Sequence, residues 1–315
     1  MPSEGLPEVS FVVIAFNEQE NIAHCITSIL RQDTNLTMEL IFVDDGSTDK
    51  TITEAMNAAK GDPRFIKIEN KVNLGRGKTR TIGLTQAKGK RIAFVDSDII
   101  LPNDWLMKCV EGMGENVAIS GLAVPDGDIA PISRIASARP KPISGSMPIT
   151  GNNVLFDGDT IRKQGFPKTG LGEDFRLAAN LIAAKKPIRQ LNDLFVLHQE
   201  SKSYTKFLKW MFVSGVDATS LLREFAIVRK ADLAWAAWFT TFGPIVVGLA
   251  TINSEVFLGG LALNILFILL ISLAHCISRF ALNPFGNWLK AFLLTVPAMS
   301  YYLAGRTIGL FRKVH

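Results

Sequence analysis

The sequence is poor in cysteine, contains no run of basic residues and carries few charges beyond residue 230. Its three cysteines, Cys25, Cys109 and Cys276, lie far apart without the spacing of a metal site, so we expect reduced, buried thiols. The net charge is only +5, and lysines and arginines are scattered among acidic residues. Because this distribution lacks the basic stripe of a nucleic-acid-binding protein, we expect no nucleic-acid partner.

The sequence also lacks the pattern of a secretory leader. Residues 1–8 are polar and acidic, and the apolar run at 9–16 is too short for the apolar part of a signal peptide with its cleavage site. We therefore expect the soluble part of the chain to stay in the cytosol.

Two charge-free stretches in the C-terminal third have the length of membrane helices. Leu233–Ile252 and Val256–Ser278 are each long enough to cross the hydrocarbon core of a bilayer. Only three residues separate them, so they form a helical hairpin. Arg229 and Lys230 precede the first stretch and Arg279 follows the second, which predicts that both ends of the hairpin face the cytosol.

Two further segments border this hairpin. Residues 203–230 are amphipathic, and we expect an interfacial helix or linker there. Residues 291–305 form a short apolar segment that contains Pro297; we expect a re-entrant or interfacial helix, with a kinked third span as the alternative. The predicted organisation is therefore a soluble domain at 1–202 and a membrane region at 231–315, with membrane lipids as partners and the cell membrane as location if the source is prokaryotic.

The first hundred residues alternate between strand-like and helix-like patterns. Val9–Phe16 is a continuous apolar run, as in a strand buried on both faces of a parallel sheet. Further strands are predicted at 39–43, 65–69 and 91–95, and helices at 18–32, 48–60 and 76–88. This alternation predicts an α/β domain with a doubly wound, mostly parallel, Rossmann-like sheet.

Polar clusters follow three of these strands. They are Asn17-Glu18 after the first strand, Asp44-Asp45 after the second and Asp96-Ser97-Asp98 after the fourth. The carboxyl ends of parallel strands form the ligand crevice of such a sheet, so we expect the clusters to converge. Carboxylate oxygens suit Mg²⁺ or Mn²⁺, although an isolated Asp-x-Asp is equally explained by a solvated turn.

Three more features are candidates for chemistry. Arg76 and Lys78 lie in a glycine-containing loop that opens a helix, where backbone N–H groups and positive charge can hold a diphosphate. This loop lacks the spacing of a P-loop, and no GxGxxG follows the first strand. Glu173 and Asp174 begin a predicted helix, as dipole partners or as a base. His198 ends a strand, as a metal ligand or as an ordinary hydrogen-bonded histidine.

Six segments, taken in order, resemble family 2 glycosyltransferases of the GT-A fold. They are VSFVVIAFNEQENI, FVDDGSTDKT, NLGRGKTRTIGL, RIAFVDSDI, TGNNVLF and GLGEDFRL. The resemblance implies inverting transfer of one sugar from a nucleotide-diphosphate sugar, with a UDP-sugar favoured, assisted by Mg²⁺ or Mn²⁺. The C-terminal part is similar to members that act on lipid-linked acceptors such as polyprenyl phosphate, and it lacks the Gln-x-x-Arg-Trp motif of processive synthases.

The resemblance also implies a role for each matching residue. Nucleotide binding is implied for Ala15, Asn17, Glu18, Asp44, Asp45, Arg76, Lys78 and Asp96. Metal binding is implied for Asp96, Asp98 and His198, and contacts with the sugar or acceptor for Asn152 and Asn153. Asp174 is implied as the general base, with Glu173 positioning it or the acceptor.

Two other functions are compatible with parts of the pattern. A nucleotidyltransferase shares this kind of sheet, but it is expected to carry a glycine-rich basic loop after the first strand, where this chain has FNEQEN. A non-catalytic membrane scaffold or transport subunit with a degenerate domain is disfavoured because acidic residues occupy the ends of three separate elements.

Overall fold

The computed structural model describes residues 5–126, 151–167, 172–199, 204–225, 230–280 and 288–311. The chain divides into two compact units, one of residues 1–127 and 147–200, the other of residues 128–146 and 201–315. We refer to them as the N-terminal unit and the helical unit. Residues 126–151 are rich in Pro, Ser and Gly, and we expect an ordered loop or a mobile flap from their composition; except at its two ends, this segment lies outside the described residues.

The N-terminal unit is an eight-stranded sheet with helices between its strands. The strands are β1 (Val9–Ala15), β2 (Met38–Asp44), β3 (Phe65–Glu69), β4 (Arg91–Asp96), β5 (Ile99–Ile100), β6 (Ala118–Asp126), β7 (Asn153–Asp157) and β8 (Ile188–Gln199). The helices are α1 (Ile22–Leu30), α2 (Thr51–Ala59), α3 (Arg76–Gln86), α4 (Trp105–Met113), α5 (Gly158–Gln164) and α6 (Glu173–Ala183). The strand order is β3-β2-β1-β4-β7-β6-β8-β5.

The first four strands form the predicted parallel half of the sheet. β1 pairs in parallel with β2 and β4, and β2 pairs in parallel with β3. The other half is mixed, because β7 runs antiparallel to both β4 and β6, and β5 runs antiparallel to β8. The predicted strand at 189–197 is one continuous strand, β8, which is parallel to β6 with a register shift between Ser120 and Leu122.

The core lies on both faces of the sheet, which explains the uninterrupted apolar runs. Along β1, Phe11 and Val13 pack in the hydrophobic cluster that includes Trp105 of α4. Val12 points to the opposite face and packs in the cluster that includes Leu177 of α6. Since successive side chains of a strand alternate between faces, a strand covered on both sides has no polar positions.

The helical unit contains five described helices. They are α7 (Tyr204–Phe225), α8 (Lys230–Thr240), α9 (Phe242–Ala250), α10 (Ser254–Phe280) and α11 (Trp288–Gly309). Two segments, Asp232–Ala250 and Ser254–Ala274, are long and apolar enough to cross a membrane, and only 17% and 11% of their residues are buried. The first segment consists of α8 and α9, which Thr241 separates.

The third apolar segment is longer than the sequence suggests. α11 has 22 residues, with Pro297 in its interior. Its predicted end at residue 305 rested on treating Arg306 as a flanking charge, whereas Arg306 is fully buried and paired with Asp232. The Arg306 guanidinium also lies 5.1 Å from the ring centre of Trp235. A helix of this length measures about 33 Å, and its relation to a membrane stays a prediction.

Glycines bring α7 and α11 into backbone contact. A Cβ atom at Gly305 would lie 2.0 Å from the carbonyl oxygen of Phe212, and one at Gly215 would lie 2.1 Å from that of Tyr302. The two helices also share a hydrogen bond from Thr219 Oγ1 to the carbonyl of residue 306 at 2.8 Å. Such close approach through small residues is typical of helix pairs in membrane proteins.

All three cysteines are free. Cys25 and Cys109 are buried, as predicted, whereas Cys276 in α10 is partly exposed. Its Sγ lies 3.6 Å from Thr295 Oγ1 of α11. The prediction of a buried thiol was therefore wrong for Cys276, because one side of α10 is not covered by the other helices.

The replacement Gly305→Ala is expected to destabilise the helical unit by about 1–3 kcal/mol, because the added methyl group overlaps the α7 backbone. Gly259→Ala is the matched control, since a Cβ at Gly259 meets nothing within 4 Å. The midpoint of thermal unfolding of the purified full chain in detergent measures the stability of both variants. Equal midpoints for the two variants contradict the close packing of α7 against α11.

Candidate active site

The carboxyl ends of β1, β2 and β4 lie side by side. Ala15 at the end of β1 is in register with Asp44 of β2, and Ile14 is in register with Asp96 of β4. The two aspartates therefore flank the end of β1 from opposite sides. The convergence predicted from the order of strands is present in the structure.

The loop after β1 is tied to the loop after β2. Asn17 adopts a left-handed backbone conformation, with φ of 55°, and its amide donates to Ser47 Oγ at 2.9 Å. In return, Thr48 donates its amide to Asn17 Oδ1, also at 2.9 Å. The amide of Glu18 donates to Thr51 Oγ1. These bonds explain why α1 begins at Ile22, four residues after the predicted start.

Asp44 shapes the turn that follows β2. Its Oδ2 accepts hydrogen bonds from the amides of Gly46 and Ser47, at 3.0 and 2.8 Å. Gly46 has φ of 78°, and a Cβ there would lie 2.8 Å from the carbonyl carbon of Val72, so only glycine fits. The Oδ1 of Asp44 is buried and meets no hydrogen-bond donor among the described residues.

Asp45 organises the loop that leads into α3. Its Oδ1 accepts from Asn70 Nδ2 and from the Leu74 amide, both at 2.9 Å, and its Oδ2 accepts from the Gly75 amide at 3.0 Å. Its own amide donates to the carbonyl of Ala15. Asp45 thus fixes the start of α3, and the contact with a nucleotide base that the resemblance implies stays a prediction.

The first turn of α3 carries exposed positive charge. Arg76 and Lys78 are exposed, and the helix is preceded by Gly75 with φ of 84°. Arg76 lies close enough to Glu173 to lower its pKa, against a larger opposing effect of burial. The amides at the start of α3 and these two side chains form a positive surface at the edge of the crevice.

A third basic residue of the same segment, Arg80, is buried and joins two parts of the site. The Arg80 side chain donates to Glu173 Oε1 at 2.5 Å, to Asp96 Oδ1 at 2.6 Å and to the Gly151 carbonyl at 3.2 Å. Arg80 is 2% exposed. Burial alone would lower its pKa, but the neighbouring carboxylates outweigh burial and raise it, so the guanidinium stays charged.

The sequence analysis missed Arg80. It lies four residues after Arg76, one helical turn further along α3. The neighbouring Thr79 and Gly83 are buried, so the pattern of small residues on this face was the available signal for a helix side that packs inward.

Glu173 and Asp174, at the start of α6, have different environments. Glu173 is 2% exposed; burial raises the pKa of its carboxyl, and Arg80 opposes that rise. Asp174 is partly exposed, and its Oδ2 accepts from the Gly151 amide at 3.0 Å while its Oδ1 accepts from the Phe175 amide at 2.9 Å. A Cβ at Gly151 would lie 2.7 Å from the Cβ of Asp174.

Asp98 and His198 meet although they are 100 residues apart in the chain. The short strand β5 pairs with the end of β8 and places Ile99 opposite His198. His198 Nε2 lies 3.1 Å from Asp98 Oδ2, with about a fifth or less of either side chain exposed. Two of the three residues predicted for the metal are therefore in contact.

The donor chemistry of this pair fits a divalent ion in part. No group of three His, Cys, Asp or Glu side chains that could hold a metal occurs among the described residues. Asp96, predicted as a third ligand, has its Oδ1 on Arg80 instead. A carboxylate and an imidazole supply two ligands, so a bound Mg²⁺ or Mn²⁺ needs further oxygens from a ligand or water.

Negative charge accumulates around the buried thiol of Cys25. Burial raises the pKa of Cys25, and the nearby charges of Asp98, Asp96 and Glu18 raise it further. Its Sγ lies 3.4 Å from the carbonyl oxygen of Asp96. Asp98, Asp96 and Glu18, which are all predicted for nucleotide or metal binding, thus act on the same buried thiol.

The two asparagines predicted for the sugar or acceptor differ. Asn153 is fully buried, and its Oδ1 accepts from the Gly121 amide at 2.7 Å and from Trp105 Nε1 at 3.3 Å. Its side chain therefore ties β7 to β6 and α4. Asn152 is partly exposed, and its carbonyl accepts from the amide of Asp96. Of the two asparagines, only Asn152 is not buried, and a contact of either with a sugar or an acceptor stays a prediction.

The replacement Asp45→Asn is expected to loosen the loop before α3. An amide group cannot accept all the hydrogen bonds that this carboxylate accepts, and each lost bond in a buried position costs about 1–3 kcal/mol. Exchange of the Leu74 and Gly75 amides, followed by mass spectrometry, should accelerate roughly tenfold or more. Asp33→Asn, at an exposed position, is the control; unchanged exchange in Asp45→Asn contradicts this role.

Comparison with known proteins relates this geometry to a family. Residues 10–160 match the family described as Glycosyl transferase family 2. An uncharacterized glycosyltransferase of Haemophilus influenzae is 37% identical over 119 residues, which cover 38% of this chain and 36% of that protein. Succinoglycan biosynthesis protein ExoO of Rhizobium meliloti is 38% identical over 124 residues, 38% of this chain and 35% of that protein. The chain thus spans about a third of the length of either relative.

A solved structure shares the fold. The mannosyltransferase PcManGT from Pyrobaculum calidifontis, in complex with GDP-Man and Mn²⁺, superimposes with a TM-score of 0.60 at 18% identity, over 95% of this chain and 88% of that one. The sheet, the crevice and the family match agree with the resemblance seen in the sequence. The N-terminal part of this chain thus has a GT-A-like fold and, over residues 10–160, matches glycosyl transferase family 2.

Proposed function

We propose that the protein transfers a single sugar, with inversion, from a nucleotide-diphosphate sugar to a lipid-linked acceptor at the cytosolic face of a membrane. A UDP-sugar is the favoured donor, and the acceptor is a polyprenyl phosphate or a lipid-linked glycan. The observation that carries the proposal is the connection, through Arg80, between Asp96 at the end of β4 and Glu173 beside Asp174 at the start of α6. Donor-side and acceptor-side carboxylates thereby share one crevice.

The donor end of the crevice suits a nucleoside diphosphate. The start of α3 offers backbone N–H groups, and Arg76 and Lys78 add positive charge for the phosphates. The buried Oδ1 of Asp44 lacks a donor from the described residues, and a hydroxyl or N–H group of the nucleoside would satisfy it. Asn17 and Glu18 border the same space through their bonds to the β2–α2 loop.

Asp98 and His198 are the residues that would hold Mg²⁺ or Mn²⁺. A divalent ion held there would supply positive charge for the diphosphate. Asp98 and His198 would supply two ligands, and the mannosyltransferase with the shared fold was solved with GDP-Man and Mn²⁺. These observations support metal dependence.

Asp174 is the proposed general base. The Gly151 and Phe175 amides orient its carboxylate, and partial exposure leaves it accessible to an acceptor. It would accept the proton of an attacking sugar hydroxyl, on the side of the sugar opposite the leaving nucleotide, which inverts the anomeric centre. A polyprenyl phosphate is already anionic, so with that acceptor Glu173 and Asp174 would mainly position it.

The helical unit supports a lipid-linked acceptor. Its two apolar segments expose most of their residues, unlike core helices of a soluble protein, and we propose that they span the membrane. The third helix, α11, and the amphipathic α7 would complete a membrane region at 231–315 with an interfacial segment at 203–230. Basic residues at both ends of the predicted hairpin favour a cytosolic location for the catalytic domain, residues 1–202.

Incubating membranes that contain the protein with labelled UDP- and GDP-sugars tests donor and acceptor together. We expect one labelled sugar to enter the organic-solvent extract in the presence of Mn²⁺ or Mg²⁺. Label that stays with water-soluble products argues for a different acceptor. If no nucleotide sugar is consumed, the proposed activity is wrong.

Asp98→Ala and His198→Gln are expected to weaken Mn²⁺ binding by roughly tenfold or more, since each removes one of two protein ligands. Titration of the purified protein with Mn²⁺, followed by electron paramagnetic resonance of the free ion, measures binding without any turnover. His24→Gln, at an exposed position on α1, is the control. Equal binding in all four proteins would place the metal elsewhere.

Asp174→Asn is expected to lower kcat by about 10²–10⁴-fold if the acceptor is a hydroxyl, because the base is lost. Nearly full activity would identify an anionic phosphate acceptor. Asp159→Asn on α5, whose side chain is exposed, is the control. A donor KM that rises in Asp174→Asn while kcat stays unchanged contradicts the assignment of Asp174 to the acceptor side.

A further inference from the structure

One guanidinium holds three acceptors from three different elements. Arg80 of α3 donates to Asp96 at the end of β4, to Glu173 at the start of α6 and to the carbonyl of Gly151, just before β7. Arg80 and Glu173 are each 2% exposed, whereas the Asp96 side chain is 27% exposed. The buried charge thus reaches the crevice through Asp96.

Backbone hydrogen bonds close this contact into a ring. The amide of Gly151 donates to Asp174, the neighbour of Glu173, and the amide of Asp96 donates to the carbonyl of Asn152. The end of β4 and the start of α6 are thus each joined by one hydrogen bond to Gly151-Asn152 and by another to Arg80. The Asp96 carboxylate and the Gly151 turn, whose amide donates to Asp174, thus share one guanidinium nitrogen.

The geometry of this contact is specific to arginine. A planar guanidinium presents several N–H groups in fixed directions, while a lysine ammonium is a compact point charge on a flexible stem. A lysine at position 80 can keep the positive charge, but it lacks the two separate nitrogens with which Arg80 meets Glu173 and Asp96.

Stability alone is a weak reason for such a group. Burying ions costs desolvation energy, and buried ion pairs are often replaceable by apolar residues without loss of stability. The contacts of Arg80 have a further property, which an ion pair that only stabilises the fold does not need. They join a donor-side carboxylate to the residue that precedes the candidate base.

We infer that Arg80 is a positioning residue that sets the distance between the donor-side Asp96 and the acceptor-side Glu173-Asp174 pair. It touches neither substrate, and it acts by holding both carboxylates and the Gly151 turn in register. The inference rests on the proposed function, because it concerns the geometry of transfer between the two sides.

The first test compares Arg80→Lys with wild type in the labelled-sugar assay. We expect kcat to fall by about 10–100-fold, since small misplacements of reacting groups have effects of that size. The donor KM should stay within about threefold, because Arg76 and Lys78 are untouched. Arg162→Lys is the matched control, since Arg162 also donates to backbone carbonyls, those of Ala87 and Gly89, at 3.2 and 2.6 Å.

The second test uses neutral replacements. Arg80→Gln alone leaves Glu173 buried without its cation, so it serves only as one corner of a double-mutant cycle. The double variant Arg80→Gln/Glu173→Gln removes both buried charges and keeps side chains that can hydrogen-bond. Because residues that act as a unit are not additive, its kcat should be no lower than that of Glu173→Gln.

The outcomes separate this inference from the proposed function. A wild-type protein that consumes no nucleotide sugar overturns both. An active wild type, with Arg80→Lys equal to Arg162→Lys in kcat, overturns the positioning role alone. The positioning role is also overturned if the loss of kcat in Arg80→Gln/Glu173→Gln equals the sum of the losses in the two single variants. A changed KM with unchanged kcat in Arg80→Lys overturns it as well.

Discussion

The crevice depends on a positive charge that is removed from water and shared between carboxylates. Arg80 is buried beside Glu173 and Asp96, and a buried cation is tolerated only where its hydrogen-bonding groups are satisfied. That requirement forces the end of β4, the turn at Gly151 and the start of α6 into one arrangement. The partly exposed residues around it, including Asp174, are oriented as a consequence. The orientation of partly exposed residues such as Asp174 therefore depends on the buried ion pair of Arg80 and Glu173, which is closed to ligands.

Sequence patterns predicted the sheet because the physics that sets them is local. Buried strands require continuous apolar runs, so β1, β2 and β4 were placed within one residue of their observed ends. The convergence of Asp44 and Asp96 followed from parallel topology. The start of α1 was misplaced because the bonds that tie Asn17 and Glu18 to residues 47–51 join separate parts of the chain.

Charges inside the protein were the main source of error. Arg76, Lys78 and Arg80 have similar side chains in one short segment, and burial distinguishes Arg80 only once α3 is packed on the sheet. Arg306 was treated as the edge of an apolar segment, whereas its buried pair with Asp232 makes it part of the interior of the helical unit. A hydropathy pattern treats every charged residue as exposed to solvent. Arg80 and Arg306 are buried instead, because each forms an ion pair with a carboxylate from a distant part of the chain.

The environments of the three cysteines have a practical consequence for spectroscopy. Thiolates are the species that react with maleimides and related reagents, and burial raises the pKa of both Cys25 and Cys109. Cys276 is the partly exposed one of the three. A thiol-reactive fluorophore is thus kept away from Cys25 and from the acidic side chains near it.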